Sequence, residues 1–174
     1  VDGIETGKMM ERLIDWPGPA YIRINRGDLP FLYPQEDAYH IGKLSKFRKG
    51  GDVALLGAGV MVSRSLEAAK LLSAKGIAAG VYNISTIKPL DQEALMEAVA
   101  GVRAIVVSEE HNLIGGLGSA VLEALRAVPH APVEIVGIRD CFGQSAACYD
   151  EILVRYGLTA EAVADAALGL LERR

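Results

Sequence analysis

A chain of 174 residues is long enough for one ordinary domain and part of a second, taking roughly 100–150 residues as typical. Its net charge of −4 argues against a nucleic-acid or anionic-membrane surface, both of which need a basic face. It has no run of about 18 apolar residues such as a membrane-spanning helix requires, so neither nucleic acid nor membrane is expected as a partner. Cys141 and Cys148 alone make no disulfide framework and no signal peptide is visible, so a cytoplasmic location is expected. The opening Val1-Asp2-Gly3-Ile4-Glu5 reads like the interior of a longer chain.

Met9, Met10, Leu13 and Ile14 have helical spacing and predict a helix from Gly7 to Asp15, stopped by Trp16-Pro17-Gly18-Pro19. Ala20 to Asn25 alternates like a strand. One helix and one strand cannot enclose a core, so residues 1–36 are expected to pack on something outside this chain. Residues 37–50 are polar and basic and read as a linker.

From residue 51 the rhythm becomes regular. Short apolar runs at Val53–Leu56, Val81–Ile84, Ala104–Val107 and Val133–Val136 predict four strands. Helices are expected at Ser63–Lys75 with Gly76 as its stop, after the cap Asp91, and from the glycine-rich turn Gly115–Gly118 through Leu125. Two more are expected near Tyr149–Tyr156 and Thr159–Glu172. Alternating strands and helices, with strands apolar throughout, imply an α/β domain over 51–174: three αβα layers around a mostly parallel sheet.

Four motifs could carry chemistry. Gly57-Ala58-Gly59 follows a strand and precedes a helix, but Val62 occupies the third glycine position of a dinucleotide turn, and no acid ends the second strand; a tight βα turn is expected. Glu109, Glu110 and His111 follow the third strand. They could form a polar cluster at an interface, and the glycines beyond, Gly116 among them, could offer helix amides to an anion. Cys141 and Cys148 are too far apart for a usual zinc pair and are expected to be small buried or half-buried thiols, with no metal site. Arg26 shares a strand face with Ile22 and Ile24, at the C-terminal edge where open α/β sheets bind ligands. Its guanidinium suits a phosphate by two parallel charge-assisted bonds.

Asp2-Gly3-Ile4-Glu5-Thr6 and the run Gly18 to Pro30, which contains Arg26-Gly27-Asp28-Leu29-Pro30, resemble the end of the pyrimidine-binding domain of transketolases. Gly51–Gly59, Ser65–Ala69, Ile87–Asp91, Glu109–Asn112, Gly115–Ser119, Asp140–Ser145 and Tyr156–Thr159 resemble that family's C-terminal domain. The resemblance implies the C-terminal portion of an enzyme that moves a two-carbon ketol unit between sugar phosphates, as in the pentose phosphate pathway, with thiamine diphosphate and Mg. It places the diphosphate, the metal and the catalytic glutamate outside this chain. No catalytic or cofactor-binding residue and no bound cofactor are therefore expected in the chain alone. It gives Arg26 the role of binding the substrate phosphate, although Gly27 and Asp28 stand where many members carry Gln and Asn. Expected partners are the remaining transketolase domains or an N-terminal subunit, and a second copy in a homodimer. Deoxyxylulose phosphate synthase and the 2-oxo acid dehydrogenase beta subunit share the third domain. A non-catalytic dimerisation or ligand-binding module is the reading from another class.

Overall fold

The computed structural model describes residues 1–173. Its elements, in chain order, are α1 (Gly3–Ile14), β1 (Ser45–Arg48), β2 (Val53–Gly57), α2 (Met61–Ser73), β3 (Ala79–Asn83), α3 (Gln92–Val99), β4 (Ala104–Asn112), α4 (Leu117–Leu125), β5 (Val133–Ile138), α5 (Tyr149–Arg155) and α6 (Ala160–Glu172). The sheet order is β1-β3-β2-β4-β5, with β1 antiparallel and the other pairings parallel. All five residues of β2 and of β3 are buried, because both sheet faces are covered. Val53, Leu55 and Val106 face α2 and α6 (Leu72, Val163, Ala167), whereas Ala54, Leu56, Ile105 and Val107 face α3 and α4 (Leu95, Val121, Leu125). This is the αβα sandwich that the apolar runs imply. Each fully buried leucine contributes about 1.5–3 kcal/mol.

Three expectations change. Ser45–Arg48, inside the expected linker, forms edge strand β1 against β3. Helix α1 begins at Gly3, four residues early, because the Asp2 carboxylate caps it by accepting from the Glu5 N–H at 2.9 Å. Residues 20–25 form no strand. Their backbone groups have no ladder partner among the described residues, and alternation alone cannot supply one.

Residues 1–36 attach to the sandwich through a few polar clamps and through Val1, Leu29 and Tyr33, which pack on its core or on Phe47 of β1. Buried Asp2 also accepts from the N–H groups of Leu32 (2.5 Å) and Tyr33 (2.7 Å), tying the helix start to the loop before β1. Lys8 donates to the carbonyls of Pro34, Gln35 and Asp37. The fully buried Glu5 accepts from Asn83 Nδ2 at 2.6 Å, pinning α1 to the end of β3. The apolar stripe is left open: Ile14 is 81% and Tyr21 90% exposed, and Ile24 and Phe31 also face solvent. Backbone ordering costs about 1–2 kcal/mol per residue, which so little apolar burial offsets poorly. Amides of 14–31 should therefore exchange far faster than those of Val53–Leu56 and Ile105–Val107. Equal protection would mean that a second copy covers the stripe.

The Asp2 clamp has a pH signature. Burial raises its carboxyl pKa, but the N–H donors of Glu5, Tyr33 and Leu32 together outweigh burial and hold it below the usual value. A depressed folded pKa contributes stability that is present above the unfolded value, about 3.9, and is lost as pH falls through the folded one. Protection of the Leu32 and Tyr33 amides should be flat above about pH 5 and decline below about pH 4. In Asp2→Asn that dependence should vanish; if it persists, another group is responsible.

Candidate functional site

Strand β4 runs to Asn112, so the Ser108–Asn112 cluster belongs to the strand and does not follow it. The two-residue period then separates the two carboxylates. Glu109 lies on the face of Val107 and points at α4; Glu110 lies on the face of Val106 and Ser108, the α5 side. Ser108 itself pairs with Ser65 of α2, oxygen to oxygen at 3.1 Å, inside the core.

Glu109 is 3% exposed and accepts from the N–H groups of Leu117 (2.6 Å) and Gly118 (2.9 Å). Those are the first amides of α4, where unpaired donors and the helix dipole favour an anion. The expected anion position is real, but the chain's own carboxylate fills it, so the external-anion reading of Gly116 is corrected. Gly116 is needed for that approach, since a Cβ there would lie 2.1 Å from Glu109 Oε2. His111 is exposed at the strand end.

Glu110 meets the N-terminal segment. Its side chain accepts from Asn25 Nδ2 at 3.0 Å, and its main-chain oxygen accepts from the Arg23 guanidinium at 2.8 Å. Asn25 Nδ2 also donates to the Tyr149 hydroxyl at the start of α5. Burial raises the pKa of the Tyr149 phenol strongly, and the adjacent Glu110 raises it further.

Arg26 projects from this anchored stretch. It is exposed and pairs with no carboxylate among the described residues. The nearby Arg64 is already engaged by Asp150 (2.6 Å) and Glu67 (3.4 Å), and lines a cleft with Asp28, Leu29, Pro30 and Tyr149. Arg26 is thus an exposed guanidinium with no carboxylate partner among the described residues, although the strand stripe expected to place it is absent.

The glycine turn after β2 is structural. The N–H groups of Met61, Val62 and Ser63 are bonded to the carbonyls of Ala58, Gly59 and Val60, so the turn runs into α2 through its own backbone bonds. Among the described residues no group of three His, Cys, Asp or Glu side chains is placed to hold a metal. Both cysteines are exposed, not buried or half-buried as expected, because 139–148 is an irregular surface stretch.

A mostly parallel αβα sandwich, with a helix and an extended segment clamped over its strand ends, defines the class. Residues 42–163 match the family model for the transketolase C-terminal domain. Over the whole chain it is 37% identical to a 6-deoxy-6-sulfo-D-fructose transketolase subunit of Clostridium sp., covering 54% of that protein. It is 36% identical to an apulose-4-phosphate transketolase subunit of Phocaeicola vulgatus, with 99% of this chain and 55% of that protein covered. A solved split-gene transketolase, described as an inactive beta4 tetramer, superposes with a TM-score of 0.93 at 38% identity, over 99% of this chain and 56% of that one. A 1-deoxy-D-xylulose-5-phosphate synthase of Symbiobacterium thermophilum is 42% identical over 99% of this chain but only 27% of its own length.

The chain belongs to the transketolase family and corresponds to its C-terminal portion. It spans about half the length of the transketolase subunits it matches. No helix among the described residues is long and apolar enough to cross a membrane.

Proposed function

We propose that this chain is the C-terminal portion of a transketolase, moving a two-carbon ketol unit between sugars that carry a terminal oxyanion. The thiamine diphosphate, its Mg and the catalytic carboxylate come from the remaining domains, on the same polypeptide or on a separate subunit. This chain contributes packing, contacts to a second copy, and Arg26 as the group that holds the oxyanion. The observation that carries the reading is the likeness to split transketolase subunits over the whole chain, N-terminal segment included. Two relatives are named for a phosphorylated and a sulfonated sugar. Both terminal groups are tetrahedral oxyanions that an arginine fork can hold. The open stripe of Ile14, Tyr21 and Ile24 is where the remaining domains would pack.

An activity assay tests this. The chain alone should transfer nothing, and joined to the missing domains it should transfer a ketol unit from a ketose phosphate to an aldehyde. If the joined protein instead condenses pyruvate with glyceraldehyde 3-phosphate, the synthase reading suggested by the Symbiobacterium relative replaces it. If neither reaction occurs, the chain is a non-catalytic module.

A further inference from the structure

We infer that Asn25, Glu110 and Tyr149 form a clasp by which the C-terminal domain positions Arg26. The inference rests on the proposed oxyanion role of Arg26 and adds the residues that hold it in place.

The segment 20–27 has no ladder hydrogen bonds, so something else must fix its backbone. Asn25 uses both ends of its amide. Its Nδ2 donates to Glu110 at 3.0 Å and to the Tyr149 hydroxyl, and its Oδ1 accepts from the Gly27 N–H at 2.5 Å. The last bond spans Arg26, the way asparagine side chains close turns on their own backbone two residues on. Gly27 lies against the Tyr149 ring, where a Cβ would come within 3.0 Å. Arg23 adds a bond to the Glu110 main chain at 2.8 Å. Arg26 is therefore flanked on both sides by backbone held to β4 and α5, while its own side chain stays exposed. Two elements of the sandwich converge on this one stretch, so the C-terminal domain does more than pack: it sets where the guanidinium stands. Burial, and then the adjacent Glu110, hold the Tyr149 pKa well above its usual value, so it is a neutral hydroxyl at physiological pH.

In the complete enzyme, Asn25→Ala should raise the KM of a ketose phosphate donor about 5- to 30-fold, as expected for lost charge-assisted bonding through a displaced arginine. It should leave kcat, and the KM of unphosphorylated hydroxypyruvate, within about twofold, because a group that does not react is bound alike in ground and transition states. Both donors are read against the same unphosphorylated aldehyde acceptor. Tyr149→Phe keeps the ring and its packing, so it tests the hydroxyl without unfolding the domain, and should shift the same parameter in the same direction. Glu110→Gln keeps an acceptor for Asn25 and should lie nearer to wild type than Glu110→Ala. In an Arg26→Ala background, Asn25→Ala should add less than about a twofold change, since the two act through one contact. If Arg26→Ala is selective for the phosphorylated donor while Asn25→Ala and Tyr149→Phe harm both donors equally, the clasp is merely structural and the inference fails, with the arginine's role intact. If Arg26→Ala is itself unselective, the oxyanion role falls and the inference falls with it.

Discussion

Replacing Arg26 with alanine in the complete enzyme is expected to lower kcat/KM for a phosphorylated donor roughly 10- to 150-fold, mostly as a raised KM. That range corresponds to the loss of a charge-assisted hydrogen-bonding group, about 1.5–3 kcal/mol, at about 1.4 kcal/mol per decade. The phosphate does not react, so it is bound alike in ground and transition states and its loss appears in KM. Arg26→Lys keeps the charge without the two-pronged geometry and should fall between wild type and alanine. The fold should not suffer, because the side chain is exposed and holds no carboxylate among the described residues; surface changes of this kind usually stay within about 0.5 kcal/mol. The control is hydroxypyruvate, which has no phosphate to lose. Equal damage with and without the phosphate would make the arginine structural.

Glu109→Ala is the substitution expected to weaken the sandwich most, and it should do so without touching Arg26. Two backbone N–H donors at the start of α4 would lose their buried carboxylate. At about 1.5–3 kcal/mol per bond to a charged group, a loss of about 3 kcal/mol or more is expected. For a domain of this size that lowers the Tm by about 6–12 °C. Glu109→Gln retains an acceptor oxygen and should cost less. Gly116→Ala attacks the same contact from the other side, since its Cβ would meet Glu109 Oε2 at 2.1 Å and Asn112 O at 2.8 Å. The two substitutions share one contact, so the double variant should be more stable than the sum of the singles predicts. Strict additivity in thermal melts would mean that Glu109 and Gly116 act independently.

The sandwich was legible because its buried parallel strands are apolar without interruption, at Val53–Leu56 and Ala104–Val107 above all. Strand β1 was not, because Ser45-Lys46-Phe47-Arg48 is an edge strand with one apolar residue among polar and basic ones. The opposite error at Ala20–Asn25 has a related cause. Alternation records which face each residue would show, but a strand exists only beside another strand, and none stands there. Ending β4 at Val107 merged Glu109 and Glu110 into one acidic cluster. Extended to Asn112, the two-residue period alone would have sent the two carboxylates to opposite faces of the sheet. Arg26 stands out by its type, by resemblance and by a strand stripe with Ile22 and Ile24, of which the structure lacks the strand. Asn25 and Tyr149 carried no signal, since their contact joins positions 124 residues apart.

The central claim is that this chain completes a thiamine diphosphate enzyme whose cofactor site lies in the domains it must join. Calorimetric titration with thiamine diphosphate and Mg tests it most directly. The chain alone should give no saturable heat, and the same chain joined to the missing domains should bind the cofactor. Micromolar binding by the chain alone would contradict the account.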